Sequence, residues 1–322
     1  MTEAPAWDTT MPLWFDSPRP MSLGLMIPIR EGTMGGATPR FADLVAMATA
    51  ARDSGFEVIW FGDHFTMGDG DDMSGAWEAW TMMAAVAARV PDIHVGPLVS
   101  AVGFRNPGVV AKMSEALDEI TGGRFILGLG AGWNETEYRQ FGISYSYRAS
   151  RLEEALQVIR PLLREGRATF DGRFWHADNA VNRPRGPRPT GAPILVGTNG
   201  DRLLGSVARY ADAWNSDWAS DPARMRALMD RVDAACDAIG RPRDTLVKTG
   251  SARFAMDPAS ARRSDLVSGT PDEMTDRLAA FHDLGLRHLV CGLEPRTRFT
   301  IETFADVIRR YDARARNRHP EP

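Results

Sequence analysis

The sequence predicts an α/β fold, a (β/α)8 TIM barrel with an insertion between strands 4 and 5. Two observations carry this. Short apolar runs alternate with longer segments of helical periodicity, and the unit repeats about eight times along 322 residues. The runs are almost continuously apolar, as strands of a parallel sheet covered on both faces are. An open doubly wound sheet is the competing arrangement, but eight regular units favour closure. A single barrel domain commonly needs about 250 residues or more, so the length fits one domain. We read residues 1–21 as an N-terminal extension, 22–315 as the barrel and 316–322 as a tail.

Residues 22–28 (SLGLMIP) form the first strand, and Phe41, Leu44, Val45, Ala48 and Ala51 recur at helical spacing before Gly55 ends the helix. Residues 57–62 (EVIWFG) form the second strand, with Trp80, Met83, Ala84 and Ala87 on the helix after it. Residues 93–100 (IHVGPLVS) form the third. Asn106 and Pro107 then suit the N-cap and first turn of a helix carrying Val110, Met113, Leu117 and Ile120. Residues 124–130 (RFILGLG) form the fourth strand, followed by a helix with Leu152, Leu156, Ile159 and Leu163. Residues 166–192, with Pro184, Pro187 and Pro189 among arginines, read as an irregular excursion. Residues 193–197, 212–218, 245–250 and 287–293 supply strands five to eight. The helices between and after them carry Leu203, Leu204 and Val207, then Met225 to Cys236, then Met274 to Phe281, then Ile301 to Tyr311. Thr270, Pro271 and Glu273 form a capping box with proline in the first turn.

Composition excludes several classes. A chain 43% hydrophobic and 25% charged is an ordinary globular protein, and a net charge of −4 leaves no basic footprint for nucleic acid. No stretch reaches the roughly 18 apolar residues that span a bilayer. The start of the chain has neither a basic opening nor a continuous apolar run, so no signal peptide is read and a cytoplasmic location is expected. The two cysteines, Cys236 and Cys291, fall in apolar patterns and read as core residues.

In a barrel, the chemistry sits at the C-terminal ends of the strands. That rule selects Gly62-Asp63-His64-Phe65, Val99-Ser100-Ala101, Gly130-Ala131-Gly132-Trp133-Asn134, Gly197-Thr198-Asn199-Gly200 and Asn215-Ser216-Asp217-Trp218. Asp63-His64 is the only acid–imidazole pair at a strand end; the carboxylate could hold the ring or raise its pKa for proton transfer, and a structural histidine is the blander alternative. His94, His176, His282, His288 and His319 are weaker candidates by position. The glycines at 128–132 resemble a dinucleotide loop, but Trp133 stands where its last glycine belongs. Glycine here lets a flat ring or a phosphate come close to the backbone. Gly197 to Gly200 lead into a helix, whose free N–H groups suit a phosphate. Trp133, Tyr138, Trp214 and Trp218 lie near strand ends and could line an apolar pocket, or simply fill space. The acidic run Gly68 to Asp72 lacks the bidentate glutamate of a calcium loop, and no metal is expected.

Three segments carry a family likeness. They are Trp60-Phe61-Gly62-Asp63-His64-Phe65, Arg105-Asn106-Pro107 with Ala111-Lys112-Met113, and Gly122-Gly123-Arg124 running into Leu127 through Glu135. Together they resemble the luciferase-like monooxygenase superfamily, and the wording is most similar to its branch that uses the deazaflavin coenzyme F420. Phe141-Gly142-Ile143, Phe170 to Arg173 and Ala208 to Asp212 extend the likeness over roughly residues 22–312.

The resemblance implies a barrel enzyme, usually a homodimer, that acts on a small molecule with its cofactor across the strand ends. It implies His64 as proton donor or acceptor during hydride transfer, and Asp63 in contact with the cofactor. Ser100 would lie where the third strand's loop meets the ring, near a non-proline cis peptide. Ala131, Gly132 and Asn134 would contact the cofactor, with Gly197, Thr198, Asn199 and Gly200 on its phosphate side. Trp133, Tyr138 and Trp218 are expected in the substrate pocket. Sugar-phosphate dehydrogenases of this branch carry a glutamate where this chain has Trp133, so a less polar, unsaturated or carbonyl-type substrate is expected. Two alternatives stand beside F420-dependent hydride transfer. One is a monooxygenase using reduced FMN with a separate flavin or F420 reductase; the other is a flavin-binding barrel without catalysis. A deazaflavin lacks the ring nitrogen through which flavins activate oxygen, so the cofactor decides the reaction type.

Overall fold

The computed structural model describes residues 17, 19–256 and 265–318. Most of the expected N-terminal extension and the last four residues, His319 among them, lie outside that set.

The barrel forms as the alternation predicts. Its strands are Ser22–Ile27, Val58–Phe61, His94–Pro97, Leu127–Gly130, Ile194–Gly197, Ala213–Trp218, Val247–Ala255 and His288–Glu294. The third strand resumes as Ser100–Ala101 beyond the non-proline cis peptide Leu98–Val99. All barrel neighbours are parallel, and the first strand pairs with both the second and the eighth. The ring closes between strands three and four, where Ile126 N donates to Val95 O at 2.9 Å and Val95 N to Arg124 O at 3.0 Å.

Helices α1 (Phe41–Asp53), α2 (Ala79–Arg89), α3 (Pro107–Thr121), α4 (Glu135–Gln140), α5 (Arg148–Arg164), α6 (Asp201–Tyr210), α7 (Pro222–Asp237), α8 (Pro271–Asp283) and α9 (Arg298–Arg318) cover the outside. Asn106 Oδ1 accepts the Gly108 N–H at 2.8 Å with Pro107 in the first turn, and Thr270 and Glu273 form the expected capping box. The last helix runs to Arg318, past residue 315 where the barrel was expected to end.

The excursion at 166–192 is more ordered than its prolines implied. Arg167–Asp171 and His176–Val181 make an antiparallel hairpin. The arginines after it reach back to buried acids of α3: Arg185 to Glu115 at 2.9 Å, and Arg188 to Asp118. The proline-rich stretch is therefore an electrostatic clamp. Its partners lie about seventy residues upstream, beyond the reach of local pattern.

Two apolar layers result, as strand alternation requires. Val58, Trp60, Ile126, Leu195, Ala213 and Val290 pack inside the ring, and a larger cluster lies between strands and helices. Cys236 and Cys291 are both buried and free, as their patterns implied. His288 plugs the floor at the N-terminal ends of the strands. Its Nδ1 lies 2.7 Å from Ser22 Oγ, and Trp60 Nε1 donates to its Nε2 at 3.0 Å. Burial lowers its pKa to about 3, and burial with Arg188 lowers that of His94 to about 4, so both rings are neutral at pH 7. No described helix is long and apolar enough to cross a membrane.

Candidate active site

His64 stands at the opposite end of the ring, the mouth. Its Nδ1 lies 2.9 Å from Glu137 Oε1, and the Phe65 backbone N–H donates to Glu137 Oε2, also at 2.9 Å. Glu137 is buried with its side chain 1% exposed, while the His64 side chain is 29% exposed. A carboxylate accepts only, so the neutral ring must carry its proton on Nδ1, which leaves Nε2 as the acceptor. Among the described residues nothing bonds to Nε2. The edge of the ring meets Trp133 at 5.4 Å between centroids.

The expected partner, Asp63, does not hold this ring. Adjacent side chains of an extended segment point to opposite sides, and Asp63 points inward. Its carboxylate pairs with both terminal nitrogens of Arg105, at 2.6 and 3.0 Å, and accepts the Ser100 hydroxyl at 2.7 Å. Trp80 Nε1 donates to that hydroxyl at 3.1 Å, and Arg105 continues to Glu78. Burial alone would lower the Arg105 pKa, but Asp63 and Glu78 more than reverse it. For Glu78, burial works upward and is outweighed by hydrogen bonds from Thr81 and Arg105, so its pKa falls. Asp63 and Ser100 were expected to touch a cofactor. Both side chains are buried and engaged in this network.

The loop after strand four is tight for an internal reason. A Cβ on Gly130 would come 2.5 Å from Val99 Cγ2, and one on Gly197 2.9 Å from Val99 Cγ1. The absence of a side chain at both glycines makes room for Val99, which packs against the inner cluster. Gly132 turns with φ 79°, and a side chain there would overlap the Tyr138 hydroxyl. That hydroxyl donates to Ala131 O at 3.1 Å, and burial with nearby Glu137 pushes its pKa up. Tyr138, expected in the pocket, is wholly buried beneath the loop and braces it. Trp133 is the exposed aromatic of the loop, at 61%. Asn134 Nδ2 donates to Thr66 O at 3.0 Å, which ties this loop to the one after strand two.

Beyond strand five, Gly200 is the N-cap of α6, and its N–H donates to Thr198 Oγ1 at 3.1 Å. Asn199 is held by Arg231, which donates to its carbonyl at 2.7 Å, and by the Asp217 N–H. A Cβ at Gly200 would meet only Thr198 Oγ1, at 3.8 Å, and Gly200 and Asp201 at the start of α6 are exposed. Trp218 packs on the inner cluster with Arg253 stacked 4.3 Å above its ring. The far rim, between strands one and eight, carries Arg30 and Arg296 beside Glu294; burial and then Arg296 lower the Arg30 pKa. Among the described residues no cluster of three or more histidines, cysteines or acids could hold a metal.

Residues 21–263 match the model of a family described as luciferase-like monooxygenase. The chain belongs to that family.

Among relatives of this luciferase-like chain, a 5,10-methylenetetrahydromethanopterin reductase of Archaeoglobus fulgidus is 26% identical over 247 residues, covering 74% of this chain and 70% of that one. An F420-dependent glucose-6-phosphate dehydrogenase of Microbacterium testaceum is 26% identical over 314 residues, covering 83% and 92%. The fold is shared with an F420-dependent secondary alcohol dehydrogenase solved with an F420–acetone adduct, at TM-score 0.78 and 18% identity, over 90% of this chain and 99% of that one.

In this luciferase-like barrel the sequence-selected segments meet on consecutive strand ends, two to five, with Trp218 on the sixth. Sequence reasoning missed Glu137 altogether, and it picked out Arg105 only as part of the family likeness, not as the partner of Asp63. Glu137 lies 73 positions from His64, and Arg105 lies 42 from Asp63. The one available signal was an acid in the first turn of a helix that opens straight from the glycine loop. The mouth fits a flat ring with a phosphate-bearing tail: it has an exposed indole, one free imidazole nitrogen and an exposed helix start.

Proposed function

We propose that this chain transfers a hydride between coenzyme F420 and an apolar, carbonyl-type or unsaturated small molecule, with His64 giving or taking the accompanying proton. The F420-dependent relatives support the cofactor. The observation that carries the residue role is the His64–Glu137 pair at the mouth: a carboxylate on Nδ1 fixes both the tautomer and the ring, and aims Nε2 away from its own support.

Gly197 to Gly200 and the α6 start would hold the phosphate, with Ala131, Gly132 and Asn134 along the ring. When bound, F420 supplies the hydride donor or acceptor carbon. The protein supplies placement, holding reacting atoms roughly 3–3.5 Å apart. Trp133 screens that position from water and gives an apolar wall where a sugar hydroxyl would need a base. Asp63, Ser100 and Arg105 keep the His64 segment rigid.

Equilibrium titration of the purified protein with F420 and with FMN tests the assignment. Binding of F420 with weak or no FMN binding is expected. Tight FMN binding with none to F420, and oxygen uptake that needs reduced FMN, would establish the monooxygenase alternative instead.

A further inference from the structure

A row of stacked arginines leaves the mouth along the start of α5. The Arg148 guanidinium lies 4.3 Å above the Tyr145 ring, and Tyr145 Oη donates to the Trp133 carbonyl at 3.0 Å. Arg173, on the turn of the inserted hairpin, lies 4.3 Å above Tyr147. Arg151 lies 4.7 Å above Phe174, whose ring is 5.4 Å from that of Tyr147. Arg202 of α6 donates to Ser150 Oγ at 2.7 Å, so the row runs from the Trp133 loop to the helix start that would hold a phosphate.

The charges in this row differ in their pairing. Two neighbouring arginines are neutralised, Arg202 by Glu153 and Arg231 by Asp201. Arg148, Arg151 and Arg173 have no carboxylate within ion-pair distance among the described residues. The acid beside them, Glu154, is already occupied: it accepts the backbone N–H groups of Arg173, Phe174 and Trp175 at 3.0, 2.8 and 3.1 Å. A chain of net charge −4 thus gathers three unneutralised cations in one strip. Stacking on a ring holds a guanidinium plane fixed and leaves its N–H edges free, the arrangement that recognises carboxylates in pairs. Hairpin packing alone would need the rings and not the charges.

We propose that this strip binds the anionic tail of the cofactor, the glutamates that F420 carries beyond its phosphate. The proposal rests on F420 being the cofactor with its phosphate at the start of α6. The carboxylates then continue outward over Arg148 and Arg173, and the inserted hairpin is a specificity element that a short flavin phosphate would not reach.

Fluorescence titration with F420 bearing several glutamates and with the form bearing none tests this. Wild-type protein and the double variant Arg148→Gln/Arg173→Gln are compared at low and high salt. Arg151 is left in place because its Nε also holds the Ser146 carbonyl. The wild type is expected to bind the tailed form about tenfold more tightly, as two or three modest ion pairs imply, with the advantage shrinking in salt. The variant is expected to bind the tail-less form as the wild type does, which also reports its correct folding, and to lose the advantage. Equal wild-type affinity for both forms, or an advantage that survives in the variant, overturns the tail site while leaving F420 in place. Failure of both forms to bind removes the cofactor assignment and the tail site together.

Discussion

Replacing Glu137 with Gln isolates the group that sets the His64 proton. The carboxylate accepts twice, from His64 Nδ1 and from the Phe65 N–H, and it does so almost fully buried. A glutamine offers one acceptor and one donor in the same space. If its oxygen keeps the Phe65 N–H, its amide hydrogens face Nδ1, which must then be bare, and the proton moves to Nε2. A buried hydrogen bond to a charged group contributes about 1.5–3 kcal/mol. Since 1.4 kcal/mol is about a factor of ten, the wild-type preference for the Nδ1–H tautomer is about ten- to a hundredfold. Nitrogen-15 spectra of the histidine side chains at pH 8 read the tautomer without any substrate. Wild-type His64 should show a protonated Nδ1 and a bare Nε2, and Glu137→Gln should reverse or mix them. A wild-type ring protonated on Nε2, or a variant with unchanged shifts, would refute the role given to Glu137.

Arg105→Met strands the Asp63 carboxylate in a buried site with only Ser100 to satisfy it. Urea unfolding should show a loss of about 3–5 kcal/mol, with Asp63→Asn added to Arg105→Met recovering part of it; a loss below about 1 kcal/mol would contradict the network. His64→Ala should leave F420 affinity within about tenfold and cut turnover by about a hundredfold or more, and unchanged turnover would remove its proton-transfer role. His288 and His94 have folded pKa values lowered to about 3 and about 4 by burial, below the ordinary 6.5. The unfolded chain therefore binds more protons between those limits. Stability should be complete above pH 6.5 and fall as the pH drops toward 4, by up to about 1.4 kcal/mol per pH unit for each group. Flat stability from pH 7 to 4.5 would argue against neutral buried rings.

The fold was legible because its signals are local. Apolar runs such as residues 124–130 and 193–197 and caps such as Asn106-Pro107 carry their meaning within a few positions. The hairpin at 166–192 was not, because arginines and prolines there speak of loop while its order comes from Glu115 and Asp118. The site was half legible. Strand-end glycines and His64 marked the mouth, while the packing of Val99 and Tyr138 against those glycines carries no local signal. The neighbour Asp63 was credited with work done by Glu137. Adjacency in sequence implied contact, and extended backbone turned the two side chains apart.

Proton transfer by His64 requires the cofactor ring to sit beside position 64. A crystal structure with F420 bound should place the reactive ring carbon beside His64 Nε2, with the phosphate against Thr198, Asn199 and the start of α6. A phosphate held instead at the far rim by Arg30 and Arg296, with the ring turned away from His64, would contradict it.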